Sequence, residues 1–338
     1  MTIPLTAELC YLLCLPLHST SPGQAEPAAA PKDAPYFFNL DIEFASAGNR
    51  TLEVEGTPVA VHAQVLDGLV WLAECRYRLE DCLSESALAR KQAIQTALRE
   101  RLRREAADTG PLSEQYTILL LRQVEPTPDA FVDAHAAALA RLMRSLHKPV
   151  GEPEIGEILG SRARYSQHDL TVVDWEGAIV IAEEGDFQSD IELLKIGNYQ
   201  LLRYRMLDQA IERNLQILRR AMRQPRGRPG WLPSQRKRLS QIVEQRLSLL
   251  LDFEKTDQSL LLIGDWYSSR LYRLIVDQFY LNEWKAAVSA KLDSLAAINE
   301  TVSQHLALSW GRVLEFVQLA GWLFLLVGYF VLFFADQR

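Results

Sequence analysis

The chain has 338 residues, of which 48% are hydrophobic and 23% are charged. Both fractions are ordinary for globular proteins, so they exclude global disorder, and the length allows two domains with a sizeable core. The net charge of -7 argues against nucleic-acid binding over the whole surface. The four cysteines are too few for a disulfide-stabilised secreted domain.

Residues 1–35 are predicted to be a flexible N-terminal segment and linker. The apolar run at the start has no lysine or arginine before it, so it lacks the positive region of a secretory signal. Residues 20–35 are rich in proline, alanine and small polar residues and have no periodicity. This composition is typical of a linker.

The cysteines do not indicate a metal site. Cys10, Cys14 and His18 are spaced four residues apart and would share one face of a helix. A closed zinc site needs a fourth ligand, which this segment does not supply. Cys75 and Cys82 are spaced like residues on one face of a helix, where they would fill core.

An α+β domain is predicted over residues 36–188. Its first part, YFFNLDIEF (36–44), has the composition of a strand, and LEVEGTPVAVH (52–62) predicts a hairpin-like piece. Residues 64–108 have a helical pattern that breaks near residues 83–84.

The second part of this domain supplies the centre of a sheet. YTILLLRQV (116–124) is a continuous apolar run of strand length and predicts a strand that is buried on both faces. Pro128 opens a helix, and residues 169–184 predict a β-hairpin that turns at Glu176-Gly177. This order predicts helices packed on a small sheet.

Residues 189–312 are predicted to form an antiparallel bundle of long helices, or a coiled coil. Segments 191–222, 234–263 and 268–309 each carry an apolar stripe of 3.5-residue period, and the loop 223–233 turns the first segment back on the second. In the last segment seven of eleven stripe positions are apolar. The positions are Leu274, Gln278, Leu281, Lys285, Val288, Leu292, Leu295, Asn299, Val302, Leu306 and Ser309.

A transmembrane helix is predicted over residues 313–335, followed by a tail at 336–338. Phe316 to Ala335 is an apolar run in which Gln318 is the only strongly polar residue. A helix of this length measures about 30 Å, the thickness of the bilayer core. We therefore expect a single-pass membrane protein with its N-terminal part in the cytoplasm, in the inner membrane if bacterial. The predicted anchor residues are Phe316, Trp322, Leu325, Tyr329 and Phe333.

The strongest local charge feature lies between Arg203 and Arg238, with eleven lysines and arginines against two acids. Clustered basic residues bind polyanions such as RNA or the ribosome, and they also bind anionic lipid or an acidic protein. A solvated helix surface accounts for the same pattern. The candidate polyanion-binding residues, called the basic segment below, are Arg219, Arg220, Arg223, Arg226, Arg228, Arg236, Lys237 and Arg238.

No set of residues predicts catalysis. The carboxylates around the predicted hairpin alternate with apolar residues, which favours surface positions, and the six histidines are scattered without ligand spacing. Asn198, Tyr199 and Gln200 interrupt an otherwise apolar helix and predict a buried network that fixes helix packing. We therefore predict no enzyme, cofactor, metal or small-molecule substrate. The carboxylates are Asp169, Asp174, Glu176, Glu183 and Glu184.

The order of these parts resembles the required-for-meiotic-nuclear-division family, in a divergent bacterial-type form. The matching pieces span residues 114–335. They are the strand YTILLLRQV, the hairpin DLTVVDWEGAIVI, the helix IELLKIGNYQLLRYRMLD, the segment LYRLIVDQFYLNEWKAAVSAKLDSLAAINETVSQH and the final apolar helix. The resemblance implies a membrane-anchored, non-enzymatic protein, whose mitochondrial relatives are tied to organellar translation.

The domain order is also similar to that of CorA-type magnesium channels. Those channels have two spans joined by a Gly-Met-Asn loop, whereas this chain has one apolar run with every methionine outside it. The prediction is a membrane-anchored, non-enzymatic scaffold or adaptor that forms homo-oligomers through its bundle. It would dock a protein, RNA or ribosome partner through the basic segment. The alternative is a subunit of an oligomeric ion-transport complex.

Overall fold

The computed structural model describes residues 5–17, 26–27, 42–106, 110–223, 251, 254 and 266–335. The chain divides into two compact units. Unit 1 consists of residues 1–207 and 252–288, and unit 2 of residues 208–251 and 289–338.

Unit 1 is built on a sheet in which nine strands are described, in the order β2-β3-β4-β5-β1-β6-β9-β8-β7. All neighbours pair antiparallel except β6 and β9, which are parallel. The strands are β1 (Ala7–Pro16), β2 (Glu26–Pro27), β3 (Phe44–Val54), β4 (Thr57–Leu66), β5 (Val70–Leu79), β6 (Glu114–Leu121), β7 (Arg162–Ala163), β8 (Leu170–Val173) and β9 (Gly177–Ile181).

Seven helices are described in the same residues, and local capping explains where the first two begin. The Ser84 side chain accepts a hydrogen bond from the Ala87 amide at the start of α1, and Thr127 caps α2 ahead of Pro128. The helices are α1 (Glu85–Glu105), α2 (Pro128–Ala134), α3 (Ala136–Met143), α4 (Glu152–Gly160), α5 (Gln188–Arg223), α6 (Trp266–Gln278) and α7 (Leu281–Ala335).

Apolar side chains cover both faces of the central strands. One face, which includes Leu13 of β1, packs with Leu98 of α1 in the larger core cluster. On the opposite face Cys14 and Leu72 pack with Leu202 of α5. The sheet is therefore sandwiched between α1–α4 and α5 over its centre, which explains why β1 and β6 are continuous apolar runs.

Several predicted elements are confirmed. A hairpin joins β3 and β4 through Glu55 and Gly56, both at positive φ. The buried strand predicted within YTILLLRQV is β6, and β8 and β9 form the predicted hairpin. Gly177 is required where β9 meets β6, because a Cβ there would lie 2.8 Å from the Thr117 carbonyl oxygen.

The prediction of a flexible segment over residues 1–35 is wrong for Ala7–Pro16. These residues form β1, which pairs with β5 on one side and β6 on the other. Cys10 and Cys14 consequently lie on a strand, where four residues span about 13 Å, too far apart to share one metal ion. His18 lies outside the described residues.

The prediction of helix over residues 64–79 is also wrong, because Val70–Leu79 is β5. This strand contains one valine, one tryptophan and one tyrosine, residue types that favour strands. It places Cys75 in the sheet and Cys82 in the turn that follows, so the two do not share a helical face. Only Glu85–Glu105 of the predicted region is helical.

Unit 2 contains the C-terminal part of α5 and most of α7. Asp208 pairs with Lys291 at 2.6 Å, and Leu215 packs with Leu295 and Ile298, so the contacts advance in the same direction along both helices. The predicted antiparallel partner at 234–263 and the loop 223–233 lie outside the described residues, apart from Arg223, Leu251 and Glu254.

The predicted transmembrane helix at 313–335 is wrong. This segment is the end of the continuous helix α7, and no described helix is long and apolar enough to cross a membrane. The predicted fold class is therefore wrong in its C-terminal transmembrane helix, and the predicted single-pass membrane anchor and membrane localisation are wrong with it. The similarity in domain order to CorA-type channels depended on the same helix and loses its basis with it.

The predicted membrane-anchor residues lie on α7. The described ones, Trp322 and Leu325, have exposed side chains. The backbone of Phe316, Tyr329 and Phe333 is helical, and their side chains lie outside the described set. None of the five is placed in a membrane span, because no described helix is both long and apolar enough to form one.

Candidate functional site

The candidate site is a cleft of about 380 Å³ on the sheet surface of unit 1, where β3, β4 and β5 run side by side. Its lining residues are Asn49, Arg50, Thr51, Ala60, Val61, His62, Glu74 and Arg76. We call this depression the sheet cleft.

Strand register builds the sheet cleft from alternate residues of three strands. Asn49 pairs with His62, which pairs with Glu74, and these three form one row across the strands. Thr51, Ala60 and Arg76 form the next row. Because Ala60 is exposed and has only a methyl group, it leaves the depression between its larger neighbours.

A buried ion network lies along one side of the sheet cleft. The Glu74 carboxylate contacts the Arg76 guanidinium through one oxygen, at 2.5 Å, and the Lys195 ammonium through the other. Lys195, on α5, also donates to Glu192 at 2.7 Å. Gln188 joins the network by accepting from Arg76 at 2.9 Å and donating to Glu192 at 2.6 Å.

The ion network keeps Glu74 and Lys195 charged despite their burial. Burial alone would raise the pKa of Glu74, but the attraction of Lys195 and Arg76 outweighs it and the pKa lies below its ordinary value. Burial would lower the pKa of Lys195, and Glu192 and Glu74 raise it instead. At neutral pH both positive charges of the network are therefore present.

His62 has a different environment. Its pKa is lowered, first by partial burial and then by the positive charge of Lys195, so the neutral ring predominates at neutral pH. Its Nδ1 hydrogen-bonds the Asn49 side-chain oxygen. The sheet cleft thus combines a fixed positive charge at Arg76, a ring that can gain a proton, and hydroxyl and amide groups.

The sequence alone does not identify His62, Glu74 and Arg76 as a site. The available signal was the alternation of Glu74 and Arg76 with buried residues in an otherwise apolar strand. Ordinary surface positions give the same alternation. Only the register of β4 and β5 shows that these side chains lie next to each other in one site.

The basic segment is described only in part. Arg219 lies on α5 with an exposed side chain. Arg220 and Arg223 are helical, and their side chains lie outside the described set. The remaining predicted residues, which lie outside the described residues, are Arg226, Arg228, Arg236, Lys237 and Arg238.

The carboxylates around the β8–β9 hairpin are not brought together into a metal site, and the described residues contain no group of metal-ligating side chains. Asp174 is buried and accepts two hydrogen bonds from Arg144, at 2.7 and 2.9 Å. Asp169 accepts from Ser166 at 2.7 Å, while Glu183 lies 3.9 Å from His168. Glu176 and Glu184 are exposed.

The predicted buried network on α5 is confirmed. Asn198, Tyr199 and Gln200 are each 2% exposed. Asn198 donates to the Leu194 carbonyl at 2.8 Å, Tyr199 contacts Asp67, and Gln200 accepts from Tyr272 at 2.6 Å. The bonds of Tyr199 and Gln200 fix α5 against the β4–β5 turn and against α6, whereas the bond of Asn198 stays within α5.

Comparison with known proteins points to an uncharacterised group. Residues 24–188 match the family model described as "Uncharacterized protein MJ0711, N-terminal domain". The chain is 28% identical over 203 residues to "Uncharacterized protein MJ0711" of Methanocaldococcus jannaschii. The aligned region covers 60% of this chain and 61% of that protein. No solved structure matches the chain. The matches support a relation to an uncharacterised domain family, and the matched range contains every lining residue of the sheet cleft.

Proposed function

We propose that this protein is a non-enzymatic scaffold that associates with copies of itself through α7. The observation that carries the proposal is an exposed apolar run on that helix. Seven large apolar side chains there are between 52% and 79% exposed. They are Leu319, Trp322, Leu323, Phe324, Leu325, Leu326 and Val327.

Such a run is costly to leave in water, and contiguous apolar surface of this kind marks interaction sites. A second copy of the chain is the occupant that we propose. The buried residues Leu281, Val288, Leu292 and Leu295 are spaced by seven, four and three residues, which fits the seven-residue repeat of paired helices. A second α7 brings an identical apolar surface, so each copy buries one side of its run against the other in an isologous interface.

The test is the molar mass of the full-length protein and of two variants, measured by light scattering after size exclusion. Leu319→Glu, Leu323→Glu and Leu326→Glu together place three charges in the run, and we expect the mass to fall to that of one 38.3 kDa chain. The matched control is Asn282→Glu, Ala286→Glu and Ala290→Glu, at exposed positions of the same helix. It should keep the mass of the unaltered protein. Equal masses for all three proteins would exclude this interface.

We also propose that the scaffold docks a polyanion through the basic segment, which the exposure of Arg219 supports. Phosphate neutralisation by clustered arginines gives binding that weakens as salt rises. Binding of single-stranded RNA that does not change with salt concentration would contradict this part of the proposal.

A distant relation to the required-for-meiotic-nuclear-division family is proposed as well. It is supported by the order of β6, the β8–β9 hairpin, α5 and the final helices. This relation predicts that, in the structure of a member of that family, the strands equivalent to β6 and β9 pair in parallel. Antiparallel pairing there would contradict the relation.

A further inference from the structure

We infer that the sheet cleft binds a small molecule through a phosphate group. The first argument is the donor set around the exposed Ala60 methyl. Arg76 and Thr51 stand on either side of Ala60 in the same row, and Asn49 and His62 lie in the adjacent row. A guanidinium, a hydroxyl and an amide therefore border one depression, and each can donate a hydrogen bond to an oxyanion. The His62 imidazole can donate to the same oxyanion only after its ring gains a proton, because the N–H of the neutral ring faces the Asn49 oxygen.

The second argument is that the acid in the lining is already neutralised. Both carboxylate oxygens of Glu74 are engaged, one by Arg76 and the other by Lys195. The Arg76 Nη1 atom lies 3.9 Å from the nearest oxygen of Glu8, beyond hydrogen-bond length, and the side chain is 30% exposed. The guanidinium thus retains an N–H group for a ligand in the cleft, with the Lys195 charge close behind it.

The third argument concerns size and chemistry. The cavity of about 380 Å³ lies in the range of small-molecule sites, roughly 300–1,000 Å³. It therefore has room for an organic part beside the phosphate. Arginine is suited to phosphate because its permanent charge strengthens the hydrogen bonds that its N–H groups donate. The neutral His62 ring can gain a proton when a dianion binds beside it, which adds a second positive charge only in the bound state.

The experiment follows the His62 ring by NMR in full-length protein labelled at histidine, with the signal assigned by its loss in His62→Gln. Inorganic phosphate is titrated at constant ionic strength. We expect a saturable shift of the His62 signal and a rise in the His62 pKa on binding. Arg76→Gln should weaken binding about tenfold or more, since it removes a charge-assisted bond. Arg78→Gln, an exposed change two residues along the same strand, should leave binding unchanged.

A second variant removes the space and keeps every charge. Ala60→Leu fills the depression at an exposed strand position and should abolish the shift. The inference is overturned if the unaltered protein shows no saturable shift, or if Ala60→Leu binds phosphate as the unaltered protein does. An equal saturable shift with acetate would overturn the choice of phosphate over carboxylate. Because Ala60 is far in sequence from α7, the mass measured for the α7 variants tests the scaffold proposal separately.

Discussion

Replacing Gly197 with alanine tests how closely α5 packs against α6 and the residue after it. A Cβ at this position would lie 2.4 Å from the Ile275 Cγ2 atom and 3.1 Å from the Phe279 Cε2 atom. Carbon atoms in contact are normally about 3.5–4.0 Å apart, so Ile275 would have to retreat by about 1 Å. Both neighbours are at most 1% exposed, which leaves them little room to move.

The expected change in the free energy of unfolding follows from two opposing effects. Alanine is favoured over glycine inside a helix by about 1 kcal/mol, whereas overpacking a dense core costs about 1–3 kcal/mol. With a contact as short as the one to Ile275, the steric term dominates. We expect Gly197→Ala to lower the free energy of unfolding by about 1–2 kcal/mol.

Gly156→Ala is the matched control, because Gly156 lies in α4 with nothing within 4 Å of the added Cβ. It should raise the free energy of unfolding by about 0.5–1 kcal/mol. Urea unfolding followed by circular dichroism measures both variants. The packing argument is refuted if the two substitutions change stability in the same direction.

Three further predictions concern charged groups. Burial lowers the pKa of Lys91 from 10.5 to about 8, so the unfolded chain binds more protons between these values. Between pH 8 and 10.5, the free energy of unfolding of the unaltered protein should therefore rise by about 3 kcal/mol relative to that of Lys91→Met. Urea titrations measure this difference, and a difference that stays constant or falls over that pH range would contradict the prediction. Asp174→Ala should cost about 2–4 kcal/mol by removing the buried partner of Arg144. Glu157→Ala, which removes an exposed partner of the same side chain, should change urea stability by less than about 0.5 kcal/mol. In a nuclease-controlled pull-down, the full-length protein should retain less RNA when five arginines of the basic segment are changed to glutamine. The five are Arg219, Arg220, Arg223, Arg226 and Arg228. Unchanged retention would exclude RNA binding by the basic segment.

The parts of the fold that the sequence predicted have local signals. β6 is a continuous apolar run of strand length, and the β8–β9 hairpin turns at Glu176-Gly177. β1 has an equally continuous run, AELCYLLCLP, but periodicity alone cannot distinguish such a run from a buried helix. Its position beside a linker-like segment made a loose N-terminus the simpler interpretation. Its place between β5 and β6 depends on pairings more than 50 residues away in sequence.

The sheet cleft could not be predicted because its residues meet only through strand register. Asn49, His62 and Glu74 lie on three different strands, and a shift of one residue in either pairing would turn His62 or Glu74 to the other face. Lys195 reaches the same cluster from α5. By contrast, the network of Tyr199 and its neighbours was predictable, because polar residues on an apolar helix must find partners when they are buried.

The most direct test of the scaffold proposal is the sedimentation of the unaltered full-length protein over a wide range of concentrations. Self-association through α7 predicts a molar mass that is a multiple of 38.3 kDa and that falls toward one chain on dilution. A mass of 38.3 kDa at every concentration would contradict the proposal, because the exposed apolar run would then have no second copy to cover it.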